Sequence, residues 1–193
     1  MKLLRAAMEV MGAKGPGSTT IQEITDAADV GFGSFYNYFA SKDAILDALM
    51  DEVVDAFGAA LDGLAEVLDD PAEILAASIR HMGRRAADDP AWGWFVLRTA
   101  FARDALQVGL GPRMLRDLRR GIEAKRFRTD DLVGTGIAIG GLVLAISSAR
   151  LHGQIGEDSA ERAATLALAL LGIPTDEAAE VARRPLPEID RAR

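Results

Sequence analysis

Apolar residues recur every three or four positions along most of this chain, which is the spacing of one helix face. The first such stripe consists of Leu3, Leu4, Ala7, Met8 and Met11. It ends at Gly15-Pro16-Gly17, a run that stops a helix. No segment alternates apolar and polar residues convincingly over the length of a strand. The pattern therefore predicts an all-α fold.

Further helices are predicted wherever the apolar spacing resumes after a capping residue, a Gly or a Pro. The longest is a single helix from its cap Ser41 to Asp69, which would link the start of the chain to the rest. The run Asp158-Ser159-Ala160-Glu161 has the spacing of a capping box. The other predicted helices cover, approximately, residues 71–87, 90–101, 112–125, 129–152, 159–171 and 175–184.

The stretch from Ser18 to Lys42 has the pattern of two short helices joined by a tight turn. Thr20 and Glu23 are spaced as a capping box, in which both side chains satisfy free N–H groups at a helix start. Asp29-Val30-Gly31 supplies the turn, because Asp and Gly tolerate left-handed backbone. The second helix, predicted from Phe32 to Phe39, carries no charge and is crowded with aromatic, hydroxyl and amide side chains.

A solvent-exposed helix normally carries charges, so an uncharged aromatic helix needs a partner. Hydroxyl and amide groups reach phosphate oxygens and base edges, and a helix of this size fits the major groove of DNA. Two helices joined by a tight turn, the second of which enters the groove, form a helix-turn-helix. This stretch therefore indicates a DNA-binding unit.

Residues 2–42 resemble the N-terminal domain of the tetracycline-repressor (TetR) family of bacterial regulators. The matching positions are Gly15, Thr19-Thr20, Ile24, Ala28-Asp29-Val30 and Gly33-Ser34-Phe35-Tyr36-Asn37-Tyr38-Phe39-Ala40-Ser41-Lys42. The resemblance implies a three-helix helix-turn-helix domain at 1–45 and a helical effector-binding and dimerisation domain at 46–193. Two departures stand out. Asp29 replaces the usual Gly, and the chain begins at the first helix, without the basic leader of many relatives.

Carried over residue by residue, the family motif assigns roles at a double-stranded DNA operator. The residues that would hold phosphates are Thr20, Gly33, Ser34, Tyr36, Tyr38 and Lys42. Those that would face bases are Gln22, Phe32 and Asn37. An Asn side chain can pair bidentately with adenine, and a Phe ring can meet a thymine methyl group. A dimer would place two such helices at half-sites about 34–36 Å apart, or a multiple of that distance.

The charge of the chain is unusual for a DNA-binding protein. The 193 residues carry a net charge of −7, and residues 1–50 hold four basic side chains against six acidic ones. Electrostatic capture of DNA should therefore be weak, with a shallower salt dependence than that of a relative with a basic arm. The absence of Cys excludes a disulfide framework, and the first residues lead into an amphipathic helix rather than into a signal peptide.

Residues 132–149 form an uncharged run that is long enough to be a borderline membrane span. Its Gly and Thr content, its acidic flank and its isolation favour a helix buried between other helices instead. In the TetR family the last two long helices build a four-helix dimer interface. The resemblance therefore implies a homodimer, without membrane attachment, formed through residues 129–152 and 159–171.

The family's C-terminal domain usually holds an apolar effector pocket between helices. The resemblance and an aromatic-rich predicted helix make the following residues candidates for its lining: His81, Trp92, Trp94, Arg98 and Phe101. The alternative is that these aromatic residues only build the core. A basic run from Arg113 to Arg128 has two interpretations as well, a second nucleic-acid patch or, as we favour, a solvated helix face.

Sequence patterns of enzymes and of metal sites are not present. The two His residues lie far apart in sequence, and neither a Ser nucleophile motif nor a phosphate-binding loop occurs. We therefore expect a cytoplasmic DNA-binding transcriptional regulator without cofactor or enzyme activity, a repressor that a small-molecule effector releases. Two alternatives stay open, a ligand-binding helical module with a weak or vestigial DNA-reading domain and a membrane-associated helical protein.

Overall fold

The computed structural model describes residues 2–100 and 109–189, and every regular element in this part of the chain is helical. This confirms the all-α fold. The first half contains α1 (Lys2–Lys14), α2 (Ile21–Ala27), α3 (Phe32–Phe35), α4 (Lys42–Leu49), a π-helical segment (Met50–Asp55), α5 (Ala56–Asp62) and α6 (Leu64–Val67). The second half contains α7 (Pro71–Asp88), α8 (Pro90–Thr99), α9 (Leu110–Glu123), α10 (Leu132–Leu151), α11 (Ser159–Leu170) and α12 (Thr175–Val181).

The start of the chain folds as the apolar spacing predicts. Helix α1 ends before Gly15, whose φ of +87° is easily adopted by glycine. Thr20 and Glu23 form both bonds of the predicted capping box at the start of α2. The four helices α1 to α4 enclose a shared core of fully buried side chains, namely Met11, Ile24, Phe35, Ile45 and Leu49.

Helix α3 is shorter than predicted. Regular helix covers only Phe32–Phe35 rather than Phe32 to Phe39. Beyond it, the N–H groups of Asn37 and Tyr38 donate to the carbonyls three residues earlier, which is the pattern of a tight turn. Residues 36–38 therefore present their side chains from turns rather than from a continuous α-helix.

The single helix predicted from Ser41 to Asp69 is interrupted. Ser41 caps its start as expected, by accepting from the N–H of Ala44. The helical path then widens into the π-helical segment, narrows again at α5 and is broken at Gly63 and at Leu68, which is extended. We call α4, the π segment and α5 together the linking helix, because they connect the N-terminal helices to the rest of the chain.

Three further expectations about helix termini are wrong. The capping box at Asp158 does not form, because its side chain makes no bond to the start of α11 and Glu161 reaches Arg80 on α7 instead, at 3.1 Å. Helix α9 begins at Leu110, before Pro112, since Pro is tolerated within a first helical turn. The last helix, α12, ends at Val181 rather than at Arg184.

Two apolar cores hold the helices together. One is shared by α1 to α5 and α8, and it includes the fully buried Trp92 and Phe95 beside the N-terminal helices. The other lies between α7, α10, α11 and α12 and is rich in Ala and Leu. The first core therefore crosses the predicted domain boundary between residues 45 and 46, which stays a prediction.

Candidate functional site

The side chains around α3 divide into a buried anchor and an exposed face. Phe35 is fully buried, and its ring lies 5.5 Å from that of Tyr36 and 5.7 Å from that of Phe39. On the other side, Phe32 is 46%, Tyr36 52% and Tyr38 75% exposed. We call the exposed residues Phe32, Gly33, Tyr36, Asn37 and Tyr38 the reading surface. Such large aromatic side chains are rarely left adjacent and uncovered without a binding role.

Ser34 and Gly33 occupy the turn of α3 itself. Ser34 is half-buried, whereas a methyl group added at Gly33 would meet no atom within 4 Å. The backbone at this point is therefore open to close approach. Asp29, in the turn before α3, has a φ of +53°, so the left-handed conformation expected at this turn is present at Asp29 itself.

Two residues predicted to contact DNA, the α2 cap Thr20 and Gln22 of α2, form hydrogen bonds with acidic side chains of α2. The Thr20 hydroxyl donates to Glu23 Oε2 at 2.7 Å, and exposed Gln22 donates from Nε2 to Asp26 Oδ1 at 2.6 Å. Glu23 also pairs with Lys14 of α1. The hydrogen bonds from Lys14, first, and from Thr20 lower the pKa of Glu23 to about 2. This charged contact ties α1 to the start of α2.

Lys42 faces the chain rather than open solvent. Its ammonium donates to the carbonyls of Pro16 and Thr19, each at 2.8 Å, and to that of Gly17 at 3.4 Å. These carbonyls belong to the turn between α1 and α2, so one cation closes that turn from the start of α4. The sequence motif assigns Lys42 to a phosphate, and the structure gives its three donors to the backbone.

A cavity of about 440 Å³ lies between the linking helix and helices α7 to α10. Its size falls in the range of small-molecule pockets. The π segment contributes Met50 and Val54, and α10 contributes a row of glycines and aliphatic side chains. Among the described residues, the apolar lining comprises Met50, Val54, Leu61, Leu75, Ile79, Met82, Val96, Met114, Gly136, Ile137, Ile139, Gly140, Gly141, Val143 and Leu144.

One side of the cavity carries charges, which we call the polar wall: Asp62, Arg113 and Asp117. Arg113 donates from Nε to Asp62 Oδ2 at 3.2 Å, and neighbouring Arg116 bridges Asp62 at 2.6 Å and Asp117 at 2.8 Å. Burial raises the pKa of Asp62, but the hydrogen bonds from Arg116 and Arg113 outweigh it and the net pKa lies below the usual value. Asp62 is therefore held in its charged form, and the wall is rich in hydrogen-bonding groups.

The described residues that line this cavity do not include four of the predicted effector-pocket residues, namely His81, Trp92, Trp94 and Arg98. Trp92 is fully buried in the first core beside Phe57, and its indole N–H has no hydrogen-bond partner among the described residues. Trp94 packs edge-on against His152 at 4.8 Å. Arg98 donates to the Gly12 carbonyl, at 3.2 Å.

His81 contacts the C-terminal segment instead. His81 lies against the Pro187 carbonyl, with Nε2 at 2.9 Å, and desolvation lowers its pKa. Phe101 lies outside the described residues. Helix α8 does reach the cavity, but through Val96, Thr99 and Ala100, which lie on a different side of the helix from Trp94 and Arg98.

The sequence did not predict the polar wall, because Arg113 belongs to the basic run that we interpret as a solvated helix face. Arg113 is in fact held by acidic residues more than fifty positions earlier, while Arg119 and Arg120 are exposed as expected. One local signal was available. Arg113 and Asp117 are four residues apart, so they share a side of α9 with the apolar Met114.

Helices α10 and α11 expose apolar side chains to solvent. We call these the apolar outer face: Val133 and Ile137 of α10 with Leu166 and Leu170 of α11, each about half exposed. Helix α10 is long and apolar enough to cross a membrane, with a mean hydropathy of 1.9, yet only 22% of that window is buried. A surface of this kind needs a cover, either another protein surface or lipid.

Two sequence families match this chain. The family described as bacterial regulatory proteins of the tetR type matches residues 3–49, and the tetracyclin repressor-like C-terminal domain matches residues 70–184. A curated relative, the uncharacterised helix-turn-helix transcriptional regulator YvdT of Bacillus subtilis, is 38% identical over 53 residues. That alignment spans 28% of this chain and 27% of YvdT.

Solved structures match over almost the whole chain. RolR in complex with the ligand resorcinol is 36% identical over 98% of this chain and 95% of its own, with a TM-score of 0.76. RolR without ligand is 35% identical over 98% and 99%, with a TM-score of 0.75. FadR from Bacillus subtilis, in complex with stearoyl-CoA, is 19% identical over 89% and 97%, with a TM-score of 0.72, a likeness of fold alone.

Proposed function

The chain belongs to the TetR family of ligand-responsive, DNA-binding transcriptional regulators, and we propose that it is a repressor that a small hydroxylated aromatic molecule releases from its operator. The observation that carries the effector class is the cavity of about 440 Å³, which joins apolar walls to the polar wall. Apolar pockets with a few fixed polar groups select ligands of matching shape and hydrogen bonding.

The effector would place its ring among the apolar residues and its hydroxyls on the polar wall. Asp62 and Asp117 can accept from hydroxyl groups, and Arg113 can donate to hydroxyl oxygens. The solved relative RolR, 36% identical to this chain, binds resorcinol, a benzene ring with two hydroxyls. The same chemistry fits these walls, so resorcinol is the probe with which to begin.

The reading surface would enter the major groove, with Phe32, Asn37 and Gln22 toward bases. Thr20, Gly33, Ser34, Tyr36 and Tyr38 would lie toward phosphates. The exposed positions of Phe32 and Asn37 and the open backbone at Gly33 support this assignment. With few cations nearby, neutral hydroxyls and backbone N–H groups must supply much of the phosphate contact.

Asn37→Ala tests the base contact. We expect binding to the preferred site to weaken by about 1–3 kcal/mol, with the preference relaxed at one base-pair position, because a bidentate Asn–adenine pair would be lost. Selection from random duplexes with the wild type and the variant measures this. An unchanged preferred sequence would remove Asn37 from the base-reading set.

The apolar outer face would be covered by a second copy of the chain. Val133 and Ile137 lie about one turn apart on α10, as do Leu166 and Leu170 on α11, and all four are exposed. The family uses these two helices for dimerisation. Fractionation of cells tests the competing membrane assignment for α10. Recovery in the soluble cytoplasmic fraction supports the dimer, whereas recovery with membranes contradicts it.

The repressor assignment is tested by DNA binding with and without resorcinol. Duplexes selected by the wild-type protein are titrated at low and at physiological salt, with 1,3-dimethoxybenzene as the matched ligand that cannot donate hydrogen bonds. We expect resorcinol alone to weaken DNA binding. Loss of that response in Asp117→Asn, but not in Asp130→Asn, would support the polar wall. Tight DNA binding without any resorcinol response overturns the effector class, and failure to retain any duplex favours a ligand-binding module with a vestigial reading surface.

A further inference from the structure

The linking helix changes its helical form where it borders the cavity. Residues Met50–Asp55 are π-helical, between the α-helical α4 and α5. Met50 and Val54 of this segment line the cavity wall. A π turn holds more residues than an α turn, so a change between the two forms alters the register of every residue before it. Helix α4 and the reading surface lie on that side.

One side chain connects this π segment to the polar wall. Arg113 donates from Nη1 to Asp55 Oδ1 at 2.7 Å and from Nε to Asp62 Oδ2 at 3.2 Å. Asp55 is the last residue of the π segment, and Asp62 is the last residue of α5. The same Nη1 also reaches the Gly109 carbonyl at 3.3 Å. The guanidinium therefore spans α5 from end to end and anchors it to the start of α9.

The backbone of α5 is shaped to receive this guanidinium. A methyl group added at Gly58 would come within 2.9 Å of Cδ, Nε and Cζ of Arg113. Gly58 lies between Asp55 and Asp62 in sequence, so the Arg113 side chain lies across the helix surface between its two carboxylate partners. Close contact on three sides gives the guanidinium a defined position, from which a ligand could displace it.

We propose that the Arg113–Asp55 ion pair holds the π segment in its DNA-binding register, and that an effector bound to the polar wall releases it by drawing Arg113 away from Asp55. This inference rests on the proposed effector site and adds the contact that transmits its occupancy. Asp55 itself does not line the cavity and is 46% exposed, so it acts on the linking helix rather than on the ligand.

The test separates the effect of the Arg113–Asp55 ion pair on the π segment from the binding of the ligand. Asp55→Asn removes the charge at the π segment, and Asp51→Asn is its matched control, because Asp51 is exposed in the same segment and makes no ion pair among the described residues. Without effector, we expect Asp55→Asn to bind the selected duplex about tenfold more weakly than Asp51→Asn, within the usual range of allosteric coupling. Amide hydrogen exchange in residues 50–55 should be faster in Asp55→Asn alone.

A second variant displaces Arg113, the other partner of the ion pair with Asp55. Gly58→Ala is expected to displace the Arg113 side chain from the surface of α5, and so to weaken DNA binding in the absence of effector as Asp55→Asn does. Because Ala has a higher helix propensity than Gly, the substitution should not weaken α5 itself. Calorimetric titration of Asp55→Asn with resorcinol should give tighter binding than in the wild type, because the effector no longer has to break the ion pair, while resorcinol should change the DNA affinity of this variant less than threefold. Wild-type DNA affinity in Asp55→Asn and Gly58→Ala overturns the holding role whatever the effector is. If the wild type ignores resorcinol but Asp55→Asn still loses DNA affinity, the effector class fails and the holding role stands.

Discussion

At the scale of single residues, the DNA-binding half depends on charged side chains that satisfy the backbone. Lys42 joins three carbonyls of the turn between α1 and α2, and Glu23 closes the cap of α2 while pairing with Lys14. Both contacts fix the position of Thr19 and Thr20 relative to α3. Lys42 and Glu23 therefore stabilise the backbone of the DNA-binding domain in the absence of DNA.

Lys42→Met separates a positioning role from a phosphate contact. We expect the folded state to lose about 1.5–3 kcal/mol, because the carbonyls lose charged donors, and DNA affinity to fall with it. The slope of log affinity against log salt should stay unchanged, whereas a lost phosphate contact would lower it by about 0.9 per site. Chemical unfolding and DNA titrations at several salt concentrations measure both quantities.

The control for this prediction is Lys2→Met, which removes an exposed cation from the same half of the chain. Its stability should match that of the wild type. A shallower salt slope in Lys42→Met, together with unchanged stability, would return Lys42 to the phosphate-binding set that the sequence motif assigns.

At the scale of helices, residues near each helix terminus predicted where several helices begin and end. Contacts between residues distant in sequence accompany the features that were not predicted. The caps at Thr20 and Ser41 formed because each needs only its own helix start. The cap at Asp158 failed because a distant Arg80 recruits Glu161. The π segment has no signal in the apolar spacing, and its contact with Arg113 spans 58 positions.

The same division applies to the candidate sites. The reading surface followed from a short motif whose exposed positions are set by neighbouring residues. The polar wall could not be predicted in this way, because Asp62 and the α9 residues meet only after the helices pack. The aromatic spacing did not indicate where Trp92 would pack, and the structure buries it fully in the first core.

Glu23→Gln tests the α2 cap by its pH dependence. Because the folded-state pKa of Glu23, about 2, lies below its ordinary value of 4.5, its contribution is complete above pH 4.5 and is lost as the pH falls toward 2. We therefore expect Glu23→Gln to be less stable than the wild type at pH 6, and the difference to shrink between pH 4.5 and 2. Urea unfolding across this range measures it, with Glu66→Gln, an exposed Glu of α6, as the control. A difference that does not change with pH would contradict the assignment.

At the scale of the whole molecule, the two ends of the regulator are joined by continuous packing. The first core runs from α1 through the linking helix to α8, so the helices that carry the reading surface are packed against the rest of the protein. The second core places α10 and α11 side by side with their apolar outer face exposed. A dimer formed there would fix two reading surfaces at one spacing, which is what two half-sites on DNA require.

Substitutions in the apolar outer face test this arrangement. In a two-fold interface each substitution counts twice, and an unpaired buried carboxylate costs several kcal/mol, so Val133→Glu with Leu166→Glu should separate the subunits. Sedimentation should then give a mass near 20.6 kDa instead of twice that value, and operator affinity should fall steeply because single half-sites bind alone. Val67→Glu makes the same change at an exposed Val of α6, outside this face, and should leave the dimer intact. If the wild type and the double variant both sediment as dimers, the subunits must meet through another surface. If both sediment as monomers, the proposed dimer itself is wrong.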